Sequence, residues 1–168
     1  MHKIRYGAAD VGGLKVSCRE AGPRDRPTLL LLHGFPTAGH MFRAHCGQYV
    51  VAPDLPGFGQ SDLPPRDAFK YTFDNLADTI DRFTELIGLK RFAVYIFDYG
   101  APVGLTIALK QPERIMAIVS QNGNACEEGL SDAWNPIRTY WREPTKKNAT
   151  RCGVSCRPRR RCFSIPMG

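Results

Sequence analysis

The chain contains no apolar run approaching the roughly 20 residues that a membrane-spanning helix needs. No long apolar stretch follows the charges of Met1-His2-Lys3-Ile4-Arg5 either. Neither a bilayer span nor a secretory leader is therefore expected, and a cytoplasmic address is the default. Histidine is absent after position 45, the four being His2, His33, His40 and His45. Acidic residues are absent from 146–168, a stretch that holds seven of the 23 lysines and arginines. The remaining 16 basic residues balance 16 acidic ones in residues 1–145, so the whole net charge of +7 sits in the tail. A nucleic-acid surface built into a folded body is therefore not expected. The tail alone would hold phosphates nonspecifically and with strong salt dependence.

Two further patterns are missing. The chain has neither a P-loop nor a dinucleotide fingerprint. Its six cysteines offer no zinc spacing with a fourth ligand: Cys18, Cys46 and Cys126 are scattered, and Cys152, Cys156 and Cys162 crowd the tail. No metal and no cofactor are expected, and cytosolic thiols stay reduced. What is present is ordinary for a globular protein: 168 residues, 43% hydrophobic and 23% charged, enough for one domain with a core.

Short apolar strands alternate with helical stretches along the chain. Residues 1–21 read as two strands turning at Gly12-Gly13. Thr28 to Leu32 and Tyr49 to Ala52 are continuous apolar runs, as in strands covered on both faces. Leu76, Ile80, Phe83 and Ile87 share one face of a helix over 73–88, with Gly88 as terminator. A strand follows over Phe92–Phe97, a helix over 100–111 that stops before Pro112, and a strand over Ile115–Val119. Strand–helix alternation predicts an α/β fold with a mainly parallel sheet and crossover helices. Only 16 residues, His33 to Gln48, join the strand ending at Leu32 to the one beginning at Tyr49, so any helix over Gly39–Cys46 is short.

Asp98 stands between a six-residue apolar strand and a helix opening at Gly100. Open α/β sheets bind ligands at the carboxyl ends of their strands, and Gly100 permits a sharp strand-to-helix turn, the geometry of a nucleophile elbow. Helix N-terminal amides favour the ionised carboxylate there, and such a carboxylate can attack an electrophilic carbon to form an ester. A plainer reading has Asp98 merely capping the helix. His33-Gly34-Phe35-Pro36 follows the Leu-rich strand directly. A His-Gly pair in this place turns a backbone N–H into the cleft, so the amides of Phe35 and Tyr99 are the candidate oxyanion hole. His33, Gly34, Pro36 and Gly100 are support for the cleft and elbow, His33 as a loop-stabilising residue. Asp54 to Asp62, rich in glycine, reads either as a functional rim of the cleft or as a purely structural tight loop.

Taken in order, His33-Gly34-Phe35-Pro36, Asp54-Leu55-Pro56-Gly57-Phe58-Gly59-Gln60-Ser61 and Asp98-Tyr99-Gly100-Ala101-Pro102-Val103-Gly104 resemble α/β-hydrolases of the epoxide hydrolase and haloalkane dehalogenase group. The likeness covers about residues 3–148. It implies the α/β-hydrolase fold, here with its last strands missing. Residues 1–125 form the N-terminal part of the core, 126–148 the start of a cap, and 149–168 a basic tail that is disordered or out of frame. It also implies an Asp98 nucleophile acting on a small molecule bearing an epoxide or a halide. A later histidine would then activate water on the ester; none follows Asp98, so the ester is expected to form and persist, in a truncated or single-turnover chain. Haloalkane dehalogenases usually place Trp after the nucleophile and Asn or Glu after the His-Gly pair; Tyr99 and Phe35 look more like epoxide hydrolases. In those enzymes cap tyrosines protonate the epoxide oxygen, which makes Tyr140 a candidate donor, although packing is the simpler role for it, as for Trp134 and Trp141. Oligomeric state is left open.

Overall fold

The computed structural model describes residues 3–42, 48–126, 129–143 and 145–148. The expected tail and the end of the 39–46 segment lie outside these residues. Six strands form one sheet: β1 (Arg5–Val11), β2 (Leu14–Ala21), β3 (Thr28–Leu32), β4 (Tyr49–Pro53), β5 (Phe92–Phe97) and β6 (Ile115–Gln121). The order across the sheet is β1-β2-β4-β3-β5-β6. β1 pairs with β2, and β2 with β4, in antiparallel fashion; the β4-β3, β3-β5 and β5-β6 pairings are parallel. The mainly parallel sheet expected from the alternation is thus found, with an antiparallel hairpin on one side. The last strand runs two residues further than the sequence pattern suggested, to Gln121.

Helix α1 (Phe73–Leu86) starts where the Thr72 hydroxyl accepts a hydrogen bond from the Asn75 amide, satisfying one orphan donor of the first turn. Its buried face carries Leu76, Ala77, Ile80 and Phe83. The helix unwinds at Gly88, whose φ of 78° is a left-handed conformation open to glycine at little cost. Helix α2 (Gly100–Lys110) packs against α1 and over β3 and β5. Together the two helices cover one face of the sheet, burying Leu30, Leu32, Phe83, Phe92, Val94, Ile96 and Ile107 in a single core. Leu31, Val50 and Ala52 point the other way, against Phe42 and Tyr95, as the two-residue period of a strand requires. The short connection after β3 holds one 3-10 turn, Gly39–Met41.

β3 and β5 therefore lie side by side in the middle of the sheet, Leu32 opposite Ile96. Their carboxyl ends deliver His33-Gly34 and Asp98 to the same place. After β6 the chain passes through a 3-10 turn to helix α3 (Asn135–Arg142). Among the described residues no helix is long and apolar enough to cross a membrane.

Candidate active site

Asp98 has φ 50°, a left-handed conformation that few residues other than glycine adopt. Its carbonyl accepts a hydrogen bond from the Ala101 amide at 2.9 Å, which closes the turn into α2. The carboxylate does not cap that helix. Oδ1 accepts hydrogen bonds from the amides of Tyr99 at 2.7 Å and Phe35 at 2.8 Å, the two expected donors. Oδ2 has no hydrogen-bond partner among the described residues. The turn is tight on every side: a Cβ on Gly34 would stand 2.3 Å from the Asp98 Cβ, and a Cβ on Gly100 would stand 2.3 Å from the Leu32 carbonyl oxygen. No side chain fits at either position while the two strand ends hold this spacing.

The aim of the Phe35 amide follows from the peptide before it. The Gly34 carbonyl oxygen accepts from the Thr37 amide and the Thr37 hydroxyl, both at 3.0 Å, and lies 3.0 Å from His33 Nδ1. A trans peptide directs its N–H opposite to its C=O, so anchoring that carbonyl turns the Phe35 N–H toward Asp98. His33 is fully buried, and its Nε2 accepts from the Leu55 amide at 2.9 Å. With Nε2 an acceptor, the proton sits on Nδ1 and is donated to Gly34. Burial holds the imidazole below its usual pKa, against the opposing pull of the Gly34 carbonyl. His33 is thus a neutral strut beneath the turn. Pro36, joined to Phe35 by a cis peptide bond, lies at the exposed outer side of the turn.

The Asp54 loop is a second support. Asp54, 1% exposed, accepts from the Gly39 amide at 2.7 Å, the Gln60 amide at 2.9 Å and the Arg19 guanidinium at 3.0 Å. None of residues 54–62 lines the cavity beside Asp98, so of the two readings of this loop the structural one holds.

That cavity, of about 180 Å³, has an apolar wall that includes Phe73, Tyr99, Pro102, Leu130 and Trp134. Asn122, Asn124 and Cys126 supply polar groups on its border. Trp134, expected in cap packing, lines the cavity beside Asp98. Tyr140 lies on α3, outside the cavity lining. Asn122 and Asn124 escape the sequence pattern because an apolar run ending at Val119 leaves them in an unmarked loop. With β6 running through Ser120 to Gln121, Asn122 stands at the level of Asp98, without the abrupt apolar-to-charged step that marks Asp98.

Strand order, the elbow and the amide pair define a hydrolase-fold protein, and the comparisons agree. The family model for the alpha/beta hydrolase fold matches residues 27–148, and the chain belongs to that family. It is 51% identical over 147 residues to the "Uncharacterized hydrolase YNR064C" of Saccharomyces cerevisiae, covering 84% of this chain and 49% of that protein. A haloalkane dehalogenase of Mycolicibacterium paratuberculosis is 34% identical over 128 residues, covering 73% of this chain and 42% of its own length. Among solved structures, haloalkane dehalogenase DbeA from Bradyrhizobium elkani superposes with a TM-score of 0.76 at 24% identity, covering 92% of this chain and 57% of that one. The chain spans about half the length of the curated relatives it matches.

Proposed function

We propose that Asp98 is the nucleophile of a hydrolase acting on small molecules with an electrophilic carbon, an epoxide or a haloalkane. One observation carries the reading. Asp98 stands in a left-handed turn beside an apolar cavity, with Oδ1 on two backbone amides and Oδ2 unengaged. Oδ2 attacks carbon, and the pair of electrons of the broken bond leaves with the halide or the epoxide oxygen. Oδ1 becomes the carbonyl oxygen of the ester and is already seated where two N–H groups would stabilise an oxyanion during hydrolysis. Phe35 and Tyr99 lack the carboxamide and indole donors associated with halide release, which favours the epoxide.

His33 is held by Leu55 and Gly34, and His40 is not among the residues lining the cavity. Neither of these two described histidines is placed as the base that hydrolyses the ester, and an adduct that outlasts its formation is the expected outcome. Incubation with styrene oxide or 1-bromohexane, followed by peptide mass spectrometry, is expected to show one equivalent bound at Asp98 and none in Asp98→Ala. An unmodified Asp98, or repeated turnover without adduct, would overturn the reading.

A further inference from the structure

Phe97 and Gln121 are the last paired residues of β5 and β6. One position beyond them stand Asp98, φ 50°, and Asn122, φ 49°, the only two non-glycine residues with positive φ among those described. Adjacent parallel strands thus end in the same strained turn, and both residues border the same cavity. Strain of this kind persists where the surroundings impose it and gathers at functional sites. Asparagine tolerates the conformation better than most residues, but glycine tolerates it better still. The backbone alone therefore does not call for a carboxamide. The Asn122 side chain makes no hydrogen bond to any described residue, whereas the neighbouring Asn124 carboxamide donates to the Cys126 carbonyl at 2.6 Å. Asn122, itself exposed, leaves two N–H donors and one carbonyl free of any described partner at the border of the cavity that Asp98 and the apolar wall share.

We propose that Asn122 is a specificity-determining residue that contacts the substrate, its carboxamide N–H donating to the oxygen of an oxygen-bearing electrophile; this rests on the reading of Asp98 as nucleophile. As Oδ2 bonds to an epoxide carbon, the C–O bond breaks and its electron pair moves to the oxygen. The carboxamide holds that growing negative charge, and the proton the oxygen then takes comes from solvent water. A hydrogen bond to a developing alkoxide is charge-assisted and strengthens as the bond breaks. Bromide, large and weakly basic, gains far less from the same donor. Asn122 thereby discriminates between the two electrophile classes.

The test is Asn122→Gly, which is compatible with the left-handed backbone and deletes the side chain with its carboxamide. With the full chain, the rate of adduct formation at Asp98 is expected to fall about tenfold for styrene oxide and less than twofold for 1-bromohexane, with the thermal midpoint unchanged or higher. Equal slowing of both reagents, or slowing of neither, overturns the proposal. A second measurement does not depend on the nucleophile. In Asp98→Asn, titration with styrene oxide is expected to shift the Asn122 side-chain amide resonances in NMR spectra. Absence of that shift overturns the role of Asn122 even where the wild-type chain forms its ester. A shift in a protein whose wild type forms no ester leaves Asn122 standing and removes Asp98.

Discussion

At the scale of single residues, His33 shows how a titratable group can serve a site without entering its chemistry. The folded protein keeps this imidazole neutral, whereas the unfolded chain protonates it near its usual pKa of 6.5. Its folded pKa is lowered, so the stabilisation is complete above pH 6.5 and is lost as the pH falls below that value. The slope reaches at most about 1.4 kcal/mol per pH unit. Denaturant titrations between pH 7.5 and 5 are expected to show this decline, and His33→Asn to flatten it. Glu20 acts in a separate, more acidic window. Burial alone would raise its pKa, but hydrogen bonds from the Tyr49 hydroxyl and Arg24, each at 2.8 Å, more than offset this and lower it from 4.5. Its contribution is therefore present above 4.5 and lost below. A stability loss confined to that lower window would leave His33 without its assigned role.

Among the elements, the join between α1 and the strands depends on Arg114. Its guanidinium donates to the Leu89 carbonyl at 2.6 Å and the Thr84 hydroxyl at 2.8 Å, pairs with Asp81, and lies over the Phe92 ring. One planar fork thus ties the end of α1 to the start of β5. Arg114→Ala takes the guanidinium from the Asp81 carboxylate and from the Leu89 and Lys90 carbonyls, and is expected to cost about 2–3 kcal/mol. For a chain of this size that lowers the thermal midpoint by roughly 4–12 °C, measurable by calorimetry. A change below 2 °C would mean that water replaces the guanidinium. The elements themselves were legible because their patterns are local: a run of four leucines for β3, a helical stripe with a glycine stop for α1, an apolar run ended by a charge for β5. The clasp was not, since nothing in the order of residues says that Arg114 reaches back to Thr84. The site divided in the same way. Asp98 and the amides of residues 35 and 99 follow from turn geometry, while the far wall formed by Phe73, Leu130 and Trp134 depends on how distant segments fold over one another.

For the molecule as a whole, the uneven cover of the sheet matters most. Every residue of β6 from Met116 to Gln121 is exposed, and Met116, Ile118 and Val119 are 44, 46 and 47% accessible. Among the described residues no strand pairs with the outer edge of β6, and no charge or proline blunts it, so that edge invites pairing with another chain. Sedimentation velocity is expected to show association that grows with concentration, and Ile118→Lys to suppress it. A wild-type chain monomeric at 100 μM, a concentration of about the level at which exposed edges usually associate, would refute this.

The carboxylate at position 98 is gripped by an amide that lies 63 residues earlier in the chain. The Phe35 amide reaches that carboxylate only when β3 and β5 lie side by side, so, on the chemistry proposed for Asp98, capture of the aspartate would record when the middle of the sheet has zipped. A reagent added at intervals during refolding would time that event directly, through a bond made at one atom.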